Sequence, residues 1–536
     1  MLVDLEKNPE AVAERTFDVC VIGAGAAGVS IARELTRAGH SVCLAESGGL
    51  DFEEKTQALY KGANIGHDYY PLEESRLRFF GGTVSIWGGR CAILDEIDFA
   101  KRSWVPHSGW PIGRDDVVPY WKKAQGIFEI GPYEWDDAYR LCGIPDQGFD
   151  PEKLATDLWR FDEVTERFAG ARTRDLMEAP NLTIVLHANA TRIQASANGA
   201  EIEHIAVKTL GGTTARLKAK HYVLACGAIE NVRLMLASDD VMPTGLGNGH
   251  DQLGRYFMEH PTGRIGKVET DKPFDLWAAY QKRFMKDGPP LAPVLRLSDA
   301  VQEAEGAMNS IVTFKLQRPP EKGVALGNKL YGTIKHSLNP DKTGRRLDHI
   351  YRGMRAWFHK VVREKVEAAM ANTGMTGLYM IIRGEQAPNP DSRIVLSAER
   401  NALGERVANL DWRLADLDKH TARVFARVFG DELARMGRGS VTPTDWISES
   451  GNDWPVDPTV GNHPIAGYHH MGGTRMSDDP ATGVVDANCK VHGIANLHVA
   501  GSSVFATAGW ANPTFTLVAL ALRLAERLDL ELKAGA

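Results

Sequence analysis

Apolar residues along this chain gather in short runs that end on glycine turns, and each turn opens a longer, helix-like apolar period. The first unit begins at Phe17, where Val19-Cys20-Val21-Ile22 is too short and too β-branched for a helix and predicts a buried strand. Gly23-Ala24-Gly25-Ala26-Ala27-Gly28 follows, and then a stretch whose Ile31 and Leu35 share one helical face. Gly39 stands where a helix gives way to a left-handed residue, and Val42–Ala45 predicts a second strand ending at Glu46 and Ser47. A similar alternation returns near 181–236. There LTIVLHA predicts a strand, two β-rich runs flank Gly211-Gly212, and HYVLACGAIENVRLML reads as strand, turn and helix. It returns again over 484–536, with the run Leu497–Ala500, the turn Gly501-Ser502-Ser503 and a long amphipathic helix.

The intervening segments differ. Residues 50–180 are rich in Trp, Tyr and Pro and hold a glycine-dense loop at 81–89. Residues 262–465 mix β-like runs such as Arg393–Leu396 and Leu410–Arg413 with charge-rich helical stretches. No low-complexity linker divides the 536 residues, so the layout predicts a nucleotide-binding fold with a second domain threaded through it. A net charge of −7 argues against nucleic-acid or anionic-membrane partners. Six cysteines without a CxxC pair argue against a metal or iron–sulfur site and against a disulfide framework. No apolar run is long enough to span a membrane, and residues 1–16 carry charges of both signs with no apolar leader, so a cytoplasmic protein is expected.

The GAGAAG turn fits GxGxxG between a strand and a helix. Gly23 makes the turn, Gly25 lets backbone N–H groups approach a pyrophosphate, and Gly28 packs helix on strand. Glu46, at the end of the second strand, suits ribose hydroxyls and disfavours a 2′-phosphate. The turn alone does not separate FAD from NAD; the tail does. Ala511-Asn512-Pro513-Thr514 opens the last helix with Asn512 at the N-cap and Pro513 at the first helical position, so its positive end can face a flavin pyrimidine.

Five segments together resemble the glucose–methanol–choline (GMC) family of FAD-dependent oxidoreductases. They are VIGAGAAG…LAESG, FFGGTVSIWGG (79–89), VLACGAIENVRLML (223–236), LGRYFMEH (253–260) and the tail HHMGGTRM…VVDANCKVHGIANLHVAGSSVF…ANPT. The tail GWANPT is most similar to the pyranose 2-oxidase-like and glycoside 3-oxidase branch. The resemblance implies an α/β fold: a Rossmann-like FAD domain from 15–100, 181–262 and 466–536, and an α+β substrate domain with a large, mainly antiparallel sheet from 101–180 and 263–465. It implies FAD contacts at Gly23, Gly25, Ala26, Ala27, Gly28, Glu46, Ser47, Gly82, Thr83, Ser85, Ile86, Trp87, Ala190, Cys226, Gly227, Gly501, Ser502, Asn512, Pro513 and Thr514. Where some relatives carry a histidine bonded to the flavin, this chain has Ile86, so non-covalent FAD is expected.

Within HxxGT the matching histidine is His470, and the second catalytic position falls on Asn512. Alcohol oxidation removes the hydroxyl proton as hydride leaves the same carbon, which suits a histidine base. Asn512 can hold the hydroxyl oxygen, and His469 is expected to point elsewhere, structural or touching substrate. Gln386 and Asn389, in EQAPNPDSR, are candidate sugar-binding residues. The expected reaction oxidises a secondary hydroxyl, at carbon 2 or 3 of a sugar or glycoside, with O2 or a quinone as electron acceptor. A sterol-type alcohol substrate and an FAD-containing hydroxynitrile-type lyase are the alternatives.

Overall fold

The computed structural model describes all residues except 165, 320–339, 359–361, 363, 373–374, 462 and 536. Two large sheets organise it. In the first, parallel strands run in the order Leu2–Asp4, Leu182–Leu186, Val42–Ala45, Thr16–Ile22 and Thr214–Leu224, and Leu497–Val499 adds to the last. The antiparallel strands Ile202–Lys208 and Asn189–Ala195 extend one edge, and the Gly211-Gly212 hairpin joins Ile202–Lys208 to Thr214–Leu224. Val19, Val21, Val42 and Leu44 are fully buried, as expected of strands covered on both faces.

The helix Ala26–Arg37 covers one face with Val29, Ile31 and Leu35, all at 0% exposure. The final helix, Pro513–Ala534, lies against it, with His40 Nε2 2.7 Å from Asp529 Oδ1, and Val118–Phe128 packs outside. Chain segments some 480 residues apart in sequence thus form one nucleotide-binding layer.

The second sheet is antiparallel throughout: Ser440–Pro443, Thr262–Glu269, Gly377–Arg383, Ile311–Gln317, Leu291–Leu297, Leu154–Phe161 and Arg90–Cys91. Two strands fall outside the segments expected from sequence. Leu2–Asp4 joins the first sheet ahead of residue 15, and Arg90–Cys91 pairs into the second. In both cases backbone pairing with a distant strand overrides sequence proximity. Among the described residues no helix is long and apolar enough to cross a membrane.

Candidate active site

The phosphate-binding turn is set by contacts a side chain would forbid. Gly23 has φ +102°, and a Cβ there would lie 2.5 Å from the Ala225 carbonyl oxygen; one on Gly28 would lie 1.8 Å from that of Gly23. Gly25, by contrast, faces open space, as do Gly227 and Gly501, both with positive φ. Gly25, Gly227 and Asn512 stand at the starts of three helices, and none of those helices has a side-chain cap. Their first-turn N–H groups are therefore available to an anion or a carbonyl.

Glu46 is 5% exposed and accepts from Ala24 N (3.0 Å), Gly48 N (2.9 Å) and Ser47 Oγ (3.1 Å), which fixes its carboxylate at the strand end. The 3-10 turn Gly82–Ile86 closes over the loop, where a Gly82 Cβ would come 3.2 Å from Gly25 Cα. Thr83 Oγ1 accepts from Leu77 N, Ser85 is buried, and Ile86 is 36% exposed beside half-buried Trp87. Ala190 lies at the Asn189–Ala195 strand, and Cys226 donates its N–H to Asn231 Oδ1, with burial pushing its thiol up to about 12. This cradle of open glycines, uncapped helix ends and a carboxylate fixed at the strand end fits FAD. Ala26, Ala27, Pro513 and Thr514 would line it as the first residues of their helices.

The histidine region is organised by one short antiparallel pairing. Met258 and Met471 exchange backbone hydrogen bonds of 2.9 and 3.0 Å. Counting outward, His260 comes opposite His469 on one face, and Glu259 opposite His470 on the other. Tyr468, at φ +60°, and Gly472, whose Cβ would meet the Tyr256 carbonyl oxygen at 1.9 Å, bend the chain on either side.

On the first face, Asn512 Nδ2 lies 3.0 Å from His469 Nε2, His469 Nδ1 lies 2.8 Å from His260 Nδ1, and His260 Nε2 lies 2.8 Å from the Gly509 carbonyl oxygen. A carbonyl only accepts, so His260 carries its proton on Nε2 and accepts at Nδ1. His469 then carries its proton on Nδ1 and presents a lone pair at Nε2 to the Asn512 amide. Burial first, then His260 and the charges of Arg383 and Arg90, hold His469 well below its ordinary pKa of 6.5. Burial holds His260 at about 4. Both are neutral imidazoles near pH 7.

On the other face, His470 Nε2 lies 3.0 Å from Tyr69 Oη, and Tyr69 donates to Glu259 Oε1 at 2.5 Å. Burial, followed by the charge of Arg76, pushes His470 down to about 3. Glu259, fully buried, also accepts from the backbone N–H groups of His260, Gly467 and His469; burial raises it to about 7 against those bonds. Ser502 Oγ donates to the His470 carbonyl at 2.6 Å, tying the loop to the turn after the last strand.

The structure therefore corrects the expected pairing. Asn512 meets His469, and His470 faces away toward Tyr69, because adjacent residues on an extended segment point to opposite sides. Asn512 does not cap its helix; its side chain is turned to the imidazole. Gln386 is also corrected. Its Nε2 amide donates to the Phe257 and Arg413 carbonyls and its oxygen accepts from Glu259 N and Trp412 Nε1, so no polar atom is left for substrate. Asn389 closes a turn by accepting from Asp391 N. Glu259 and His260 lie in LGRYFMEH, but no local pattern marks their place in this network, nor that of Tyr69 or Arg383.

Away from this site, His221, His498 and Glu531 bring ligand-type atoms within 4.8 Å of one another, a grouping not expected from sequence. Lys490, Lys220 and Arg527 crowd it with positive charge, and Arg527 already holds Glu531 at 2.9 Å, which disfavours a cation there.

Residues 18–245 match the family described as FAD dependent oxidoreductase, in keeping with the glycine cradle. The protein is an FAD-dependent oxidoreductase. Residues 388–521, which hold the histidine loop and Asn512, match the family described as GMC oxidoreductase, and the chain belongs to that family. It is 26% identical to 6'''-hydroxyparomomycin C oxidase of Streptomyces lividus over 97% of this chain and 93% of that one. Against the fructose dehydrogenase large subunit of Gluconobacter japonicus it is 25% identical over 60% of its length, spanning 49% of that protein. The fold is similar to that of a formate oxidase crystal structure, with TM-score 0.53 and 16% identity over 97% of this chain and 99% of that one.

Proposed function

We propose that this chain oxidises a secondary hydroxyl of a sugar or glycoside, at carbon 2 or 3, with His469 as the base and Asn512 as the group that holds the hydroxyl oxygen. The observation that carries this reading is the 3.0 Å contact between His469 Nε2 and Asn512 Nδ2. A hydroxyl inserted between them gives its proton to the Nε2 lone pair while its oxygen accepts from the amide. The imidazolium formed at His469 shares its Nδ1 proton with His260 across 2.8 Å, so the new charge is spread over two rings. Bound FAD supplies the acceptor for the hydride that leaves the same carbon. Relatives described as a paromomycin-type oxidase and a fructose dehydrogenase favour a sugar-like donor. Ile86 offers no nucleophile, which supports non-covalent FAD, and reoxidation by O2 or a quinone completes the cycle.

Anaerobic mixing of the FAD-loaded enzyme with a sugar panel tests this: the yellow flavin bleaches with a true substrate. His469→Ala lowers the bleaching rate by about 10²- to 10⁴-fold, whereas His470→Ala has a much smaller effect. The reverse order would return the base to His470, where the HxxGT spacing alone had put it. Turnover of a cyanohydrin without bleaching would favour a lyase.

A further inference from the structure

Beside His469, on the second sheet, two buried donors, Arg383 Nε and Trp159 Nε1, converge without acceptors among the described residues. Arg383 ends the strand Gly377–Arg383, paired in register with Thr262, two residues past His260. Its guanidinium carbon lies 5.9 Å from the Trp159 ring centroid, and that of Arg90 lies 5.2 Å from the same centroid. Trp159 in turn stands 6.4 Å, centroid to centroid, from Trp510, two residues before Asn512. Register with Thr262 and the Trp159–Trp510 contact bring this group beside the His260–His469–Asn512 face, and both arginine charges act on His469.

Arg383 Nε is buried and has no hydrogen-bond partner among the described residues, and neither has the Nε1 of Trp159, a side chain only 4% exposed. Among the described residues no carboxylate pairs with Arg383. The one ionisable group that favours its charge is Tyr70, whose hydroxyl is already engaged with Ile465 N, Ala466 N and the Ala466 carbonyl. Arg383 is half-buried, and its Nε–H, shut off from water with no protein acceptor, is a donor left for a ligand. A neutral sugar hydroxyl would bring a donor as well as an acceptor, and these groups offer it nothing to donate to. A carboxylate, which only accepts, matches a guanidinium and an indole N–H.

We infer that the substrate carries a carboxylate, bound by Arg383 and the Trp159 N–H with Arg90 alongside, so that the sugar oxidised at His469 is a uronic-acid-type sugar or glycoside. This deepens the sugar reading above and rests on it. The same two cations add to the burial and the His260 ring that already lower the His469 pKa, so they act on the base as well as on the substrate.

The test compares two substrates that differ only at carbon 6, methyl β-D-glucopyranoside and methyl β-D-glucopyranosiduronate, on the FAD-loaded enzyme. The uronate is expected to have the higher kcat/KM by about 10- to 100-fold, mostly through KM, as a charge-assisted hydrogen bond predicts. In Arg383→Gln that ratio falls toward one, and Arg383→Lys restores part of it. Because the ratio is read within each variant, loss of folded protein cancels. A wild-type ratio at or below one, or a ratio unchanged in Arg383→Gln, overturns the inference, as does a change confined to FAD retention. If neither sugar bleaches the flavin, sodium D-glucuronate is titrated against the oxidised enzyme. A saturable shift of the flavin spectrum that Arg383→Gln abolishes then upholds the carboxylate site while the sugar-oxidation reading falls; no shift removes the site as well.

Discussion

The phosphate-binding turn and the histidine loop each place a few residues at a domain junction, but they are held in different ways. In the turn, the decisive contacts run among backbone atoms of adjacent strands and the helix start: Gly28 against the Gly23 carbonyl, Gly23 against Ala225. In the histidine loop, the decisive contacts come from side chains far away in sequence. Glu259 gathers the N–H groups of residues 260, 467 and 469, Tyr69 bridges to His470, and Gly509 anchors His260. One region is a steric solution that any glycine of the right spacing satisfies. The other is a polar network in which every member depends on the rest. The difference explains why the turn was legible from its motif while the partner of Asn512 lies one residue from the expected one.

Breaking each region on its own terms separates them. Gly28→Ala drives a methyl into a carbonyl oxygen and is expected to cost about 3 kcal/mol, seen as a lower Tm and poor FAD occupancy. Glu259→Gln removes the shared anion from the histidine loop. The expected cost is about 1–3 kcal/mol, and bleaching should slow because His469 loses the bond that fixes its backbone. An unchanged bleaching rate in that variant would show that the loop does not need its distant carboxylate.

The histidine loop should also respond to pH. Burial depresses His260 to about 4 and His470 to about 3, from 6.5 in the unfolded chain. As pH falls below 6.5 the unfolded chain takes up these protons first. Stability is therefore full above that pH and is lost on descent toward about 4, by about 1.4 kcal/mol per pH unit for each ring. Tm against pH for wild type and His470→Gln measures this; equal slopes would contradict it. The smallest effect is expected at Gly25, whose Cβ would meet no protein atom. Gly25→Ala should change apoprotein stability by less than about 0.5 kcal/mol while weakening FAD binding, measured as flavin released on dilution.

Much of the architecture was legible before any coordinates. The runs Val19–Ile22 and Val42–Ala45, the turn between them and the hairpin at Gly211-Gly212 all occupy the elements their patterns predict. The return of the tail to the nucleotide sheet was legible too, through Leu497–Val499 and the helix opened by Pro513. Buried strands and glycine turns impose local, periodic requirements, and a periodic requirement leaves a periodic trace.

Gln386 looked polar and available, yet its bonds close on Phe257, Glu259, Trp412 and Arg413. Whether a polar side chain is free is decided by the partners that surround it, and those lie elsewhere in the chain.

The sequence by itself determined the nucleotide fold, the flavin cradle and the presence of a histidine–asparagine pair, because spacing alone controls where a turn falls and which residues end a strand. Only the tertiary structure decided that His469 rather than His470 meets Asn512, that His260 stands behind it and that Arg383 pairs in register with Thr262, two residues past His260. The reason is register: Met258 against Met471 sets which side chain of two neighbours turns inward. Register is a relation between two segments, and neither segment carries it alone.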